Sequence, residues 1–182
     1  MKRTSVTHPL QIAEVQSKAE QGRIGVTLCP GKTDQWAMTG HWERDLGLDL
    51  DRVQKWGAAA VITLVEAKEL TILRVENLGA EVARRGMVWF HLPIVDVSTP
   101  TAEFEKRWSE VRAQLLGMIR DGQNVLVHCR GGLGRAGMIA ATLLVELGMD
   151  PTDAIARVRT VRPGAIETIE QERYVARQAP AP

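Results

Sequence analysis

VLVHCRGGLGRAG, residues 125–137, decides how this chain is read. An apolar, strand-like run ends at Cys129. A turn carrying Gly131, Gly132 and Gly134 follows, then Arg135, and then RAGMIAATLLVELG, which is apolar nearly all round and predicts a buried helix. Such a loop holds a fold together poorly and holds an anion well. Its glycines let successive peptide N–H groups point inward. The following helix adds its positive end, and Arg135 can grip two oxygens of a phosphoryl group with its planar fork. A cysteine beside a helix N-terminus and cations has its thiol pKa lowered from about 8.5 to roughly 3.5–7.5. The pattern therefore predicts a thiolate and a phosphoryl group held in one cradle, the arrangement for transfer through a phosphocysteine.

Outward from the loop, short Val- and Ile-rich runs bounded by Gly or Pro predict buried strands at 23–30, 58–65, 86–93 and 124–129. Helical patterns alternate with them. One ends at Gly57, and another, 75–86, ends at Gly86. A long helix spans 98–122, with Pro100 in its first turn and Phe104, Trp108, Val111, Leu115, Met118 and Ile119 on one face. A further helix has Asp150 as cap and Pro151 in the first turn, and a last one covers 167–178. Strands alternating with helices predict a single α/β domain with a mainly parallel central sheet flanked by helices. In such sheets ligands bind beyond the carboxyl ends of the strands, which is where the quoted loop falls. The expected organisation is an N-terminal extension (1–22), one domain (23–178) and a frayed tail (179–182).

The 182 residues are 45% apolar and 25% charged with net charge +1, so no broad field points to nucleic acid or an anionic membrane. The N-terminus lacks the apolar core of a signal peptide, and GMIAATLLVELGM is too short to span a bilayer. Cys29 and Cys129, the two cysteines, are no disulfide framework, so a cytoplasmic setting is expected. The four histidines show no zinc spacing, and no metal or organic cofactor is expected. GVTLCPGKT departs from a nucleotide-binding loop, with five residues between Gly25 and Gly31 and Pro30 lacking an N–H.

Cysteine, five residues and arginine, preceded by His128, resembles the signature of the cysteine-based protein tyrosine phosphatase superfamily. HCRGGLGRAG resembles the kinase-associated phosphatase group of the dual-specificity type, and LPIVDVSTP (92–100) and RPGAIETIEQERYV (162–175) are similar to further segments of that group. The likeness runs from TLCPGK (27–32) onward. It implies Cys129 as nucleophile, Arg130, Gly131, Gly132, Leu133, Gly134 and Arg135 as the phosphate-binding loop, and Asp96 as general acid, with a turn cap as the alternative role for Asp96. It also implies a structural His128 whose hydrogen bonding holds the loop's shape. Gln171 is the candidate to position the hydrolytic water, with a solvated helix-face glutamine as the alternative. Where the family has a serine or threonine after the arginine, this chain has Ala136. The missing hydroxyl, worth about 1.5–3 kcal/mol as a hydrogen bond to a charged sulfur, is expected to slow release of the phosphocysteine.

The implied activity is hydrolysis of phosphate monoesters on phosphotyrosine, and on phosphoserine or phosphothreonine, in phosphorylated proteins or other phosphomonoesters. A turnover-impaired phosphate-recognition module is the alternative, and a rhodanese-like sulfurtransferase is disfavoured by Arg135 and Asp96. Cys29 is expected to remain a buried thiol, unpaired with Cys129. Arg130 either favours a more anionic substrate or points to solvent. Arg162 is a weaker candidate for a cation facing the substrate. Most of the five tryptophans are expected in the core or groove wall.

Overall fold

Alternate residues of the Val-rich run that precedes the loop face opposite ways, as the period of a strand requires. In the computed structural model, which describes residues 2–181, Val125 and Val127 join one apolar cluster and Leu126 joins the other. This strand, β7 (Asn124–Cys129), lies at the centre of a five-stranded sheet. Its companions are β1 (Ala13–Val15), β2 (Ile24–Leu28), β5 (Ala58–Thr63) and β6 (Val88–His91), in the order β1-β2-β7-β5-β6. The pairs β2–β7, β7–β5 and β5–β6 are parallel, and only the edge strand β1 is antiparallel. A short hairpin, β3 (Thr33–Asp34) with β4 (Trp42–Glu43), stands apart from the sheet.

Helices cover both faces, as a parallel sheet buried on both sides demands. On one side α1 (Leu46–Trp56), α2 (Ala67–Ile72) and α3 (Leu78–Arg84) supply Leu50, Val53, Leu70, Leu78 and Val82. On the other are α4 (Ala102–Arg120), α5 (Gly134–Glu146), α6 (Pro151–Val161) and α7 (Ile169–Ala176). Every residue of α5 is buried, since the helix packs on β7 and β2 and is in turn covered by α6 and α7. Its uniform apolarity follows from that enclosure.

Local signals set most boundaries. Gly57 ends α1 in the left-handed region, at φ 90°, and Asp150 and Pro151 open α6 as expected, the Asp150 carboxylate accepting from Thr152 N–H. Several expectations need correction. The long helix starts with Thr101 as its cap, so Pro100 lies outside its first turn. The segment before Gly86 becomes helical only at Leu78. Helix α2 and the hairpin were not expected. Residues 2–22 are no mere extension, since β1 extends the sheet and the Arg3 N–H donates to the His41 carbonyl. The expected frayed tail lies against the protein as far as Ala181, whose N–H donates to the Glu146 carbonyl at the end of α5. Met1 and Pro182 lie outside the described residues.

Candidate active site

Cys129 is the last residue of β7, and the ladder pairs it with Leu28 of β2. Residues 130–133 then turn into α5, and each of their carbonyls finds a donor outside the loop. The Arg130 oxygen accepts from Lys32 Nζ (3.1 Å) and Cys29 N–H (3.4 Å). The Gly131 and Gly132 oxygens accept from Arg162 Nη2 (3.1 Å) and Nε (2.9 Å), and the Leu133 oxygen from Gly137 and Ile166 N–H. In a planar trans peptide the N–H points opposite to the C=O. Turning four carbonyls outward therefore turns the N–H groups of Gly131, Gly132, Leu133 and Gly134 inward. The Gly132 N–H reaches Cys129 Sγ at 3.3 Å. Gly132 itself is at φ +69°, and a Cβ there would lie 2.3–2.5 Å from backbone atoms of Thr27 and Leu28. Only glycine fits.

Arg135, on the first turn of α5, is almost fully buried. Its Nη1 and Nη2 donate to Glu69 Oε2 (2.6 Å) and Oε1 (2.9 Å), and Nη1 also donates to the Ile94 carbonyl (2.9 Å). Asp96 Oδ1 lies 2.9 Å from Nη2. Burial alone would lower the Arg135 pKa, but the hydrogen bonds to Glu69 and the nearby acidic groups push it up, so the guanidinium stays charged. Among the described residues its Nε is buried without a partner. Glu69 sits in the first turn of α2, where Oε2 also accepts from Glu66 N–H (2.9 Å). Burial raises the Glu69 pKa, while Arg135 and the Glu66 N–H lower it further, and the net direction is down.

Asp96 occupies the connection between β6 and α4, and half of its side chain is exposed. Its Oδ1 accepts from Val97 N–H (3.0 Å), so the turn-capping role and the approach to Arg135 coexist. Val97 adopts φ 59°, a left-handed conformation costly for a β-branched residue and of the kind that gathers at functional sites. His128 is wholly buried, with Nε2 2.8 Å from Thr63 Oγ1, the hydroxyl that also accepts from Trp89 Nε1–H. Burial pushes its pKa down to about 3, leaving a neutral ring wedged between β7 and β5.

Gln171 is not a solvated helix-face residue. It is buried, its Oε1 accepts from Glu167 and Thr168 N–H, and its Nε2 donates to the Ser98 carbonyl. Its amide thus ties the start of α7 to the segment carrying Asp96, and from this region it is Glu167 that lines the cavity. Arg162 faces the loop's carbonyls and positions the loop. Arg130, about a third of its side chain exposed (35%), is held by the protein's own carboxylate: its Nε and Nη2 form a bidentate pair with Asp34 (3.0 and 2.9 Å). Cys29 and Cys129 are both free thiols, and burial pushes the Cys29 thiol pKa up, away from reactivity. Ala136 is buried in the core. Trp42 and Trp108 are buried, whereas Trp36 is exposed.

Sequence reasoning missed Glu69, Asp34 and Lys32. A usable signal existed for Glu69: Glu66 and Glu69 have capping-box spacing just past the carboxyl end of a strand.

A cysteine closing a central parallel strand, a cradle of inward amides, a helix N-terminus and a fixed arginine together define an α/β domain of the cysteine-phosphatase class. The chain belongs to the DSP-PTPase phosphatase domain family, whose model (PTP-SAK, Swiss Army Knife protein) matches residues 45–175. It is 35% identical over 135 residues to cyclin-dependent kinase inhibitor 3 of Rattus norvegicus, a match covering 72% of this chain and 62% of that protein's length. It is 30% identical over 132 residues to protein tyrosine phosphatase type IVA 3 of Homo sapiens, covering 72% of this chain and 70% of that protein. Among solved structures, a kinase associated phosphatase with serine in place of its catalytic-site cysteine superposes with a TM-score of 0.79 at 27% identity, covering 92% of both chains. Tk-PTP in its active form gives 0.64 at 30% identity, covering 90% of this chain and 92% of that one.

Proposed function

We propose that the protein hydrolyses phosphate monoesters on phosphorylated proteins by two displacements through a phosphocysteine. The observation that carries this reading is the cradle itself: Cys129 Sγ beneath an inward Gly132 N–H, at the mouth of α5, with Arg135 and Asp96 2.9 Å apart beside it.

The phosphoryl oxygens bind the loop amides and Arg135, whose unpartnered Nε–H is available to them. An arriving dianion competes for the Nη2 that Asp96 Oδ1 contacts, so substrate entry frees the Asp96 carboxylate, which takes a proton from solvent and turns towards the leaving oxygen. The Cys129 thiolate attacks phosphorus, the bond from phosphorus to the leaving oxygen breaks, and Asp96 gives that oxygen its proton. Water then attacks the phosphocysteine, the Asp96 carboxylate takes the water's proton, the S–P bond breaks and inorganic phosphate departs. The sulfur leaves with the Gly132 N–H as its hydrogen-bond donor and no hydroxyl at position 136, which makes this second displacement the slow one. Action on both phosphotyrosine and phosphoserine or phosphothreonine is part of the proposal. So is a cytoplasmic setting, supported by the two free cysteines; no helix among the described residues is long and apolar enough to cross a membrane.

The test is rapid-mixing hydrolysis of p-nitrophenyl phosphate, with chelator present, for wild type, Cys129→Ser and Asp96→Asn. Wild type is expected to turn over, Cys129→Ser to be inactive while still binding phosphate, and Asp96→Asn to lose about 10²–10⁴ in rate. Phosphate binding without turnover in wild type would favour a recognition module instead.

A further inference from the structure

The cavity at Cys129 extends well past the phosphate loop, to about 880 Å³. Its far part is built by the β3–β4 hairpin and the N-terminal residues, with Trp42 as a buried wall. Two large apolar side chains on the hairpin's tip line this cavity and are left in solvent: Trp36 is 89% exposed and Met38 fully so. Val97 and Val161, also exposed, line the same cavity. Exposed apolar side chains gathered at one concave site mark a place where something binds.

Most cations of this region are already engaged. Arg130 is held bidentate by Asp34, and Lys32 lies 3.8 Å from the same carboxylate. Arg44 pairs with Asp49 at 2.7 and 2.8 Å, and Arg162 donates to loop carbonyls. Arg3, 5.3 Å from the Trp42 ring centroid, has no carboxylate partner among the described residues, while Asp96 and Glu167 add negative charge to the cavity. Arg3 and Arg162 apart, a second phosphate would have to compete with carboxylates for its cations. An apolar group meets a ready surface.

The hairpin is also tied to the phosphate loop. Lys32 Nζ holds the Arg130 carbonyl and Asp34 holds the Arg130 side chain. The tip therefore sits at a set position relative to Cys129, as a specificity element requires.

Taking the phosphatase reading above as its basis, we propose that this cavity selects singly phosphorylated protein segments that carry an apolar or aromatic side chain near the phosphorylated residue, seated on Trp36 and Met38. The contact would distinguish such a flank from a polar one by about tenfold or more in kcat/KM.

The test compares kcat/KM for phosphotyrosyl peptides of matched length. Leu or Phe is placed at each flanking position in turn, against Ser, Asp or a second phosphorylated residue there, with p-nitrophenyl phosphate and inositol polyphosphates alongside. A preference of about tenfold for the apolar flank in wild type, falling towards unity in Trp36→Ser/Met38→Ser, is the expected result. Because the readout is a ratio within each protein, a general loss of activity in the variant does not imitate it. Equal rates for apolar and polar flanks, a preference unchanged in the variant, or faster turnover of a second phosphate or an inositol polyphosphate would overturn the proposal. Failure of wild type to hydrolyse even p-nitrophenyl phosphate would instead overturn the phosphatase reading on which it stands.

Discussion

Replacing Glu69 with alanine removes the carboxylate that fixes Arg135 from a helix on the opposite side of the sheet. The guanidinium is buried and would keep only the Ile94 carbonyl and the half-exposed Asp96 as partners. Breaking a buried ion pair by deleting one member costs about 3–5 kcal/mol, because the remaining charge is left uncompensated. The two surviving partners put the expected loss at the lower end, about 3 kcal/mol. Equilibrium urea unfolding followed by circular dichroism reads this as a midpoint lowered by about 1–3 M, for slopes of about 1–3 kcal/mol/M. The pH dependence carries a second signature. The Glu69 pKa in the folded protein is below its ordinary value, so its contribution is present above the unfolded carboxylate pKa of about 4.3 and is lost as pH falls through the lower folded value. Glu69→Ala should lack that acid-side loss. With the arginine no longer oriented, kcat/KM is expected to fall by about 10², the size attached to small misplacements of a positioning group. A variant within about 1 kcal/mol of wild type, or one with undiminished turnover, would refute the view that Glu69 is the counterion and positioning residue of Arg135.

The loop glycines are expected to divide. Gly132→Ala, at φ +69° and against the Thr27 backbone, should destabilise the protein by more than the roughly 1–2 kcal/mol of left-handed strain and abolish phosphate binding measured by calorimetry. Gly131→Ala, with open space around its Cβ, should stay within about 0.5 kcal/mol in stability. His128, held down to about 3 from its ordinary 6.5, binds a proton in the unfolded chain before the folded one does. Stability should therefore decline by about 2 kcal/mol from pH 7 to pH 5, and His128→Gln should flatten that slope in urea titrations at stepped pH. Ala136→Ser should raise steady-state turnover and shrink the burst of p-nitrophenol; an unchanged burst and turnover would show that the missing hydroxyl does not limit the reaction.

The phosphate loop could be read from the chain because everything it needs is local. Cys129, the glycines and Arg135 lie within one strand–turn–helix unit, and Gly132 must be glycine for reasons of its own backbone and its immediate neighbour strand. The buried strands and the enclosed α5 were legible for a related reason, since apolar runs of strand length and a helix without a polar face have few places to go. Pro100 misled because a proline that precedes a helix cap and one in a first turn look alike until the Thr101 hydroxyl is seen accepting from Phe104 N–H. The setting of Gln171 was not legible: a glutamine three residues after a threonine can fold back on the helix start, as it does here, and local sequence does not say whether it also meets a distant carbonyl.

By itself, the sequence determined an α/β domain with an anion-binding loop closed by a cysteine and an arginine. Tertiary structure alone decided what surrounds that loop. Glu69 meets Arg135 across 66 positions of chain, and Asp34 meets Arg130 across 96. The strand order β2-β7-β5 brings both to the carboxyl end of β7. Charged side chains this far apart leave no periodic trace, because their pairing depends on which strands are neighbours and not on spacing along the chain. The same holds for the cavity wall that Trp36 and Met38 supply. A hairpin too short to declare itself in sequence becomes part of the site only because Lys32 and Asp34 bind it to the phosphate loop.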